Sequence, residues 1–287
     1  MAELIDGGKI AHSIDAAVKK GIQEIYSAKG VRPKLVSIMV GQRGDAAIYV
    51  NMQKKAAEES GIEFDLRKFE PEVDPREIYE EIDRLNMDRS VTAIIVQKPL
   101  PENLSHDSVV ARIRPEKDAE GIHPYNLGRI LRKDADIVPC TPGAVMKILS
   151  EKNVDLYGKE VVIVGHSAIV GKPLSLMLLN EMATTTVCHL GTSQKGDLPG
   201  HTRRADILIV AVGRPEMVNG DWVAEGAVVI DIGINRVGNK IVGDVKFSEV
   251  EKKASLITPV PGGVGPVTVS ILMRNVFRAY RGQNVKL

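Results

Sequence analysis

Cysteine is scarce in this chain: Cys140 and Cys188 are the two in 287 residues. Neither lies in a C-x-x-C pattern, which argues against a disulfide framework or a cysteine-built zinc site. His12, His106, His123, His189 and His201 have no metal-ligand spacing between them, so no metal is expected. No sign of charge is in excess: 38 basic against 37 acidic residues leaves +1. That balance gives no reason to expect nucleic acid or an anionic membrane as partner. No apolar run is long enough to span a bilayer. The N-terminal Met-Ala-Glu-Leu-Ile-Asp-Gly-Gly-Lys lacks a basic segment followed by an apolar one, so secretion is not indicated and a cytoplasmic protein is expected. Short-period repeats and low-complexity tracts are absent. With 44% hydrophobic residues a sizeable core is available, and the length suggests two domains.

The chain is organised around Val161-Val-Ile-Val-Gly165-His166-Ser167-Ala-Ile-Val-Gly171-Lys-Pro173. Four apolar, mostly β-branched residues predict a buried strand. Gly165 breaks the run, Ser167 is placed as an N-cap, and Val170 to Asn180 has helical spacing. Strand, glycine turn and helix is how a Rossmann unit brings backbone N–H groups to a phosphate. The spacing is Gly-x-Ser-x-x-x-Gly, and an ordinary βα turn reads the same way at this point.

Alternation of strand and helix runs along the whole chain. Helices are predicted over 11–28, 46–60 with Gly61 as a C′ cap, 75–87, 106–114 and 140–150, the last with Thr141 as N-cap before Pro142. Strands are predicted over 35–40, 64–69 and 91–96. Such alternation implies a parallel sheet with ligands beyond the carboxyl ends of its strands. Residues 41–49 and 97–101 therefore share one edge. Residues 115–126 read as a polar, turn-rich loop. Further strands are predicted over 161–164, 184–189, 207–212, 228–232 and 256–257. Residues 192–204 read as a surface excursion. Residues 258–266, with three prolines and three glycines, read as irregular, ahead of a helix over 267–281. The domain change falls near Pro139.

Several stretches together carry a resemblance: Tyr49-Val50-Asn51, Val96-Gln97-x-Pro99-Leu100-Pro101, Pro139-Cys140-Thr141-Pro142, the 164–173 turn, Ala211-Val212-Gly213, Ile230-Asp231-x-Gly233-Ile234-Asn235, Gly243-Asp244-Val245 and Thr258-Pro-Val-Pro-Gly-Gly-Val-Gly-Pro266. Over nearly its whole length the chain resembles the methylenetetrahydrofolate dehydrogenase/cyclohydrolase family, the FolD type. The resemblance implies an N-terminal α/β domain with a parallel sheet plus a Rossmann-type NAD(P)-binding domain, with the substrate cleft between them. It assigns 1–139 plus 267–287 to the folate-binding catalytic domain and 140–266 to the nucleotide domain. It implies a homodimer acting on one-carbon derivatives of tetrahydrofolate. Hydride transfer converts 5,10-methylene-tetrahydrofolate to the methenyl cation, and most members then hydrolyse that cation to 10-formyl-tetrahydrofolate.

By the same resemblance Tyr49 lies on the folate. Gln97, Pro99, Leu100, Glu120, Pro261, Gly262 and Gly265 line the folate site. Gly165, His166, Ser167, Leu190 and Ile234 occupy cofactor-contacting positions. An aromatic face beside the methenyl product stabilises its charge by about 0.5–2 kcal/mol. The family lysine four residues after the tyrosine, which serves hydrolysis, is Gln53 here. Position i+4 shares the tyrosine's helix face. An amide orients water or hydrogen-bonds folate but cannot shuttle a proton near neutral pH. Lys54 lies roughly 140° round the helix from Tyr49, a poor substitute. The family serine three residues before the tyrosine is Ala46, the leucine after the glutamine is Lys98, and the pterin-binding aspartate is Glu120. A glutamate still accepts two N–H bonds there.

These departures predict a dehydrogenase whose cyclohydrolase activity is weakened or lost. The counter-reading moves the missing lysine's role to Lys98 and keeps the enzyme bifunctional. A non-catalytic folate- or nucleotide-binding paralogue is the alternative outside enzymes, opposed by the retained Tyr49, Gln97 and cofactor turn. The cofactor is NAD or NADP, with NAD slightly favoured. His166 and Leu190 offer little to a 2′-phosphate, although no acidic residue stands there to grip a ribose hydroxyl. Lys195, Arg203 and Arg204 are the nearby cations that could reach that phosphate.

Overall fold

The computed structural model describes residues 1–41 and 44–285, and of residues 44–46 the backbone alone. In chain order the elements are β1 (Glu3–Leu4), α1 (Gly7–Lys29), β2 (Lys34–Val40), α2 (Gly44–Ser60), β3 (Glu63–Phe69), α3 (Pro75–Met87), β4 (Ala93–Val96), α4 (His106–Arg112), α5 (Pro124–Leu131) and α6 (Cys140–Glu151). There follow β5 (Glu160–Val164), α7 (Gly171–Asn180), β6 (Thr184–Cys188), α8 (Leu190–Gln194), α9 (Leu198–Thr202), β7 (Ile207–Val210), β8 (Val228–Asp231), β9 (Asn235–Val237), β10 (Lys240–Val242), α10 (Phe247–Val250), β11 (Leu256–Ile257) and α11 (Val264–Asn284). The chain divides into two compact units. One holds Met1–Ala11 and Thr141–Thr268, the other His12–Cys140 and Val269–Leu287.

In the unit centred on His12–Cys140, three parallel strands run in the order β3-β2-β4. The strand period of two decides which side chains face which way. Val36, Ile38 and Val40 of β2 join Ile94 and Val96 of β4 in one core cluster with Ile78, Ile82 and Leu85 of α3. The intervening positions, Ser37 on β2 and Ile95 on β4, point to the opposite face. Ser37 is a polar residue in an otherwise apolar run and is fully buried. α3 starts at Pro75 behind an Asp74 N-cap that accepts the Arg76 N–H, as its sequence requires.

The other unit carries a six-stranded, all-parallel sheet in the order β1-β11-β8-β7-β5-β6. Its central strands are buried, which is why they read as continuous apolar runs. Strand order turns back at β5 and β7. The crevice beyond their carboxyl ends is where open α/β sheets bind ligands. β9 and β10 form a separate antiparallel hairpin.

The α/β reading holds, with five differences in detail. Residues 1–11 do not belong with 12–139: β1 pairs in parallel with β11, Glu3 opposite Leu256. The stretch 192–204 is not a plain excursion, because α8 and α9 form there and Leu198 and Thr202 are buried. α11 begins at Val264 rather than 267. Pro266 lies in its first turn, where a missing N–H costs no helix bond. α6 begins at Cys140, so Thr141 sits inside the first turn rather than capping it. α7 has Val170 at its N-cap, and Ser167 caps the turn before it by accepting the Val170 N–H at 3.1 Å. Of the predicted edge 41–49, residues 42 and 43 and the side chain of Ala46 lie outside the described residues.

Candidate active site

In the unit built on β2 and β4, one face of α2 presents Tyr49 and, one turn later, Gln53. Tyr49 is 40% exposed and Gln53 only 1%. Gln97, just past the end of β4, continues the face that Ser37 occupies on β2. Its Nε2 donates to Ser37 Oγ at 3.0 Å and to Gln53 Oε1 at 2.7 Å. Both amide protons of Gln97 are thus engaged, and Gln53 is tied to the site floor through its own amide oxygen. Lys54, the next residue, points away and pairs with Glu58 at 3.8 Å on the exposed side of the helix.

Glu120 reaches this neighbourhood from a loop shaped by its buried neighbour. Asp118 accepts N–H bonds from Gly121 (3.0 Å), His123 (2.8 Å) and the Asn126 side chain (2.9 Å). Gly121 has a φ of +72°, and a Cβ there would stand 2.2 Å from the Val138 carbonyl carbon. No other residue type fits that turn. The Ala119 N–H donates to Ile94 O, which ties the loop to β4. Glu120 is half-buried, and its carboxyl is pushed up to about 8, by desolvation first and by the Asp118 charge second, against the pull of Lys98. Near neutral pH it is therefore mostly protonated and can donate as well as accept. Tyr49 has its hydroxyl raised to about 12 by desolvation, then by Cys140 and Glu120. His106 is held down at about 4, by desolvation first and by the charge of the exposed Lys98 second.

The Cys140 thiol lies 3.7 Å from Glu120 O and accepts from Asn275 Nδ2 at 3.7 Å. Asn275 Nδ2 also donates to Ala119 O and Val138 O, at 3.0 and 2.8 Å. Sequence reasoning missed Ser37, Cys140 and Asn275 as parts of this site. Ser37 carried a signal as the polar residue inside an apolar strand, and Cys140 lay in one of the stretches that carry the resemblance without being given a role. Pro99 is exposed at the strand's end and follows Lys98 through a cis peptide, while Leu100 packs partly against the core under β4.

In the other unit, the turn after β5 is made of backbone. Gly165 has a φ of +127°, and a Cβ on it would stand 2.2 Å from Ala211 O. A Cβ on Gly171 would stand 1.9 Å from Gly165 O. Both glycines are needed for β5, the turn and α7 to close on one another. Beyond them lies a cavity of about 300 Å³ whose lining includes Gly165, His166, Ser167, His189, Leu190 and Arg214. The His166 and His189 rings meet at 5.2 Å, tilted by 52°. His189 Nδ1 accepts the Gly191 N–H and so caps α8, which places that ring's proton on Nε2. Among the described residues no carboxylate lines the cavity.

The structure thus brings four of the five expected cofactor positions together and leaves one out. Ile234 is 65% exposed at the head of β9 and is not part of the cavity wall. Arg203 and Arg204 are not part of it either. They line a separate recess of about 570 Å³ with Trp222, and Arg204 donates to Thr186 Oγ1. Lys195 lines neither. Arg214 was missed because it follows a short Val-Gly segment with no phosphate-binding pattern. Pro261, Gly262 and Gly265 belong to this same unit, and the Gly7 N–H donates to Gly262 O at 3.0 Å. Among the described residues no cluster of metal-ligating side chains occurs, and no helix is long and apolar enough to cross a membrane.

One unit with a parallel sheet, a glycine turn and a lined crevice at its switch point, and a second unit with a polar site, define a nucleotide-binding two-domain α/β protein. The family follows from comparison. Residues 5–120 match the catalytic-domain model, and residues 139–284 the NAD(P)-binding-domain model, of tetrahydrofolate dehydrogenase/cyclohydrolase. The chain belongs to that family. It is 48% identical over 280 residues to the bifunctional protein FolD of Pelobacter propionicus, covering 97% of this chain and 98% of that one. Among solved structures, the bifunctional FolD dehydrogenase/cyclohydrolase of Campylobacter jejuni superposes with a TM-score of 0.95 at 41% identity, covering 98% and 99% of the two chains. The FolD enzyme of Trypanosoma brucei, complexed with NADP cofactor and an inhibitor, superposes with a TM-score of 0.95 at 37% identity, covering 99% of each.

Proposed function

We infer that this chain oxidises 5,10-methylene-tetrahydrofolate to the methenyl cation with a nicotinamide nucleotide, and that its hydrolysis of the methenyl product is weak or absent. The observation that carries the second part is the 2.7 Å hydrogen bond from Gln97 Nε2 to Gln53 Oε1, at the position where the resemblance implies a lysine.

The oxidation asks little of side chains. Hydride leaves a carbon flanked by two nitrogens, whose lone pairs take up the positive charge. Holding the two partners in register supplies up to about 7–11 kcal/mol of the barrier. Tyr49 offers its exposed ring face to the folate, and Glu120 faces the donor edge of the pterin. The cavity beyond β5 would hold a nicotinamide nucleotide, which would supply the hydride acceptor. That group fits the residues present. The turn leaves no room for a Cβ at Gly165 or Gly171, Ser167 adds a hydroxyl, and Arg214 is a cation in a wall whose described residues offer no carboxylate. NAD is favoured over NADP, because no arginine stands at position 166 and Leu190 offers no charge.

Hydrolysis is different. Water must lose a proton and a ring nitrogen must gain one, and general acid–base help of this kind is worth roughly 10²–10⁴-fold. Gln53 cannot exchange protons, and Lys54 is turned away with Glu58. The bifunctional reading rests on Lys98, whose charge acts on Glu120. Its side chain is exposed, and among the described residues it makes no hydrogen bond to Gln53 or Gln97, whose amides bond to one another. The two free cysteines fit a reducing cytoplasm. The family's usual form is a homodimer, which sedimentation would test here.

The test is cofactor reduction in the presence of methylene-tetrahydrofolate, with NAD and NADP compared by kcat/KM. Reduction with either supports the redox role, and a higher value for NAD supports the preference. Binding of both ligands without any reduction supports the non-catalytic paralogue instead. A strong NADP preference reverses the cofactor choice alone.

A further inference from the structure

Two aspartates that the proposed chemistry does not use lie buried behind the nucleotide cavity. Asp244 is fully buried and Asp231 is 4% exposed. A buried carboxylate persists only with its oxygens fully hydrogen-bonded. Asp244 meets that condition in one direction. Its oxygens accept the backbone N–H groups of three successive residues, Val212 (2.7 Å), Gly213 (3.0 Å) and Arg214 (2.8 Å), and Asn235 Nδ2 at 2.9 Å. Those three residues follow β7, and Val212 and Arg214 line the cavity. Asp231, at the end of β8, accepts the N–H groups of Gly233 (2.9 Å), Asp244 (3.0 Å) and Val245 (2.9 Å). The glycines beside them exist to make room. A Cβ on Gly243 would stand 1.8 Å from Asp231 Oδ2, and one on Gly233 would stand 2.4 Å from Asp244 Oδ1.

We propose that Asp244 is a positioning residue for nucleotide binding: Asp231 fixes segment 243–245, and Asp244 in turn holds the turn 212–214 so that Arg214 and the Val212 backbone form the cavity wall. A turn this short has no regular partner for its N–H groups. Three charge-assisted bonds to one carboxylate fix its backbone without any side chain of its own. The carboxylate is fully buried and does not line the cavity, so its effect is on where the wall stands. The same segment also ties down the chain on the far side of the turn, since the Glu216 N–H donates to Gly243 O and the Val218 N–H to Asp244 O.

This inference rests on the nucleotide reading of the cavity, and the experiment separates the two. Asp244→Asn turns one acceptor oxygen into a donor that faces N–H groups. It should raise the KM and Kd for NAD and NADP by about tenfold or more, with kcat changed less than about threefold and the KM for methylene-tetrahydrofolate less than about twofold. Hydrogen exchange should show amides 212–214 protected in the wild type and released in the variant, with β5–β8 still protected. Asn235→Ala removes one part-exposed donor and should raise the nucleotide Kd about two- to threefold. It decides the matter if Asp244→Asn does not fold. Unchanged nucleotide affinity in the folded variants, or equal losses for both substrates, overturns the proposal. Failure of the wild type to bind either nucleotide overturns the reading of the cavity instead, while the exchange pattern still reports on the Asp244 anchor.

Discussion

The two candidate ligand sites of this protein are built from different material. Around the nucleotide cavity the decisive contacts are backbone: Gly165 and Gly171 with no room for a Cβ, and the 212–214 amides on Asp244. Around Tyr49 the decisive groups are side chains: Gln53, Gln97, Lys98 and Glu120. A site made of backbone keeps its shape when the residues that decorate it change, and side chains such as His166 and Leu190 then bear on which nucleotide is preferred. A site made of side chains changes its chemistry with each substitution, and this one departs at Gln53, Lys98 and Glu120 from the pattern that the resemblance implies. The proposed function follows that division, with binding kept by the backbone-built site and proton transfer altered at the side-chain-built one.

The backbone-built site is the more rigid of the two and the more easily destroyed by one added side chain. Gly171→Val drives a side chain into Gly165 O, which lies only 1.9 Å from where its Cβ would stand. It should cut kcat/KM for the nucleotide by about 100-fold or more, read by cofactor reduction at saturating folate. Survival of near-normal turnover would mean that the turn is not the nucleotide's seat.

The second change restores a proton carrier to the other half. Gln53→Lys should raise methenyl hydrolysis by about 10²-fold or more, with cofactor reduction changed only severalfold. An unchanged rate would show that the missing lysine is not what limits hydrolysis. Lys98→Met tests the rival placement. Methenyl decay should stay at the wild-type rate, and a fall would move the proton carrier to Lys98.

A smaller effect follows from Glu120. Its carboxyl titrates at about 8 in the folded chain against an ordinary 4.5. Between those values the unfolded chain has released a proton that the folded chain retains, so stability falls as pH rises through that window. Glu120→Gln removes the ionisation. Its Tm should match the wild type near pH 4 and exceed it by about 2–6 °C near pH 9. A constant Tm difference across that range would contradict the raised carboxyl. The smallest effect belongs to Lys54→Ala. Its exposed ion pair with Glu58 is worth about 0.3–0.5 kcal/mol at most, and hydrolysis should not change.

Much of the architecture could be read from residue pattern because the sheet is parallel and buried. Runs such as Val161–Val164 and Ile207–Val210 have no other stable home. What escaped was set by distant partners. Glu3–Leu4 is too short to announce a strand, and its pairing with Leu256–Ile257 is decided at the far end of the chain. The polar, glycine-containing stretch around α8 and α9 gave no apolar period, although Leu198 inserts into the core. In the site, Gln53 was visible as a departure at i+4 from Tyr49. Its bond to Gln97, 44 residues away, was not. Nor was the anchor at Asp244, whose partners lie 30 to 32 residues earlier in backbone N–H groups that no side-chain pattern marks. Local periodicity reports the elements, whereas hydrogen bonds between loop ends depend on the finished fold.

The most direct measurement follows the methenyl product itself. Methylene-tetrahydrofolate and NAD are given to the enzyme, and reduced cofactor and methenyl-tetrahydrofolate are recorded together. The account predicts that the two accumulate one to one, after which the methenyl signal decays at the rate of buffer alone. Decay that scales with enzyme concentration would contradict it.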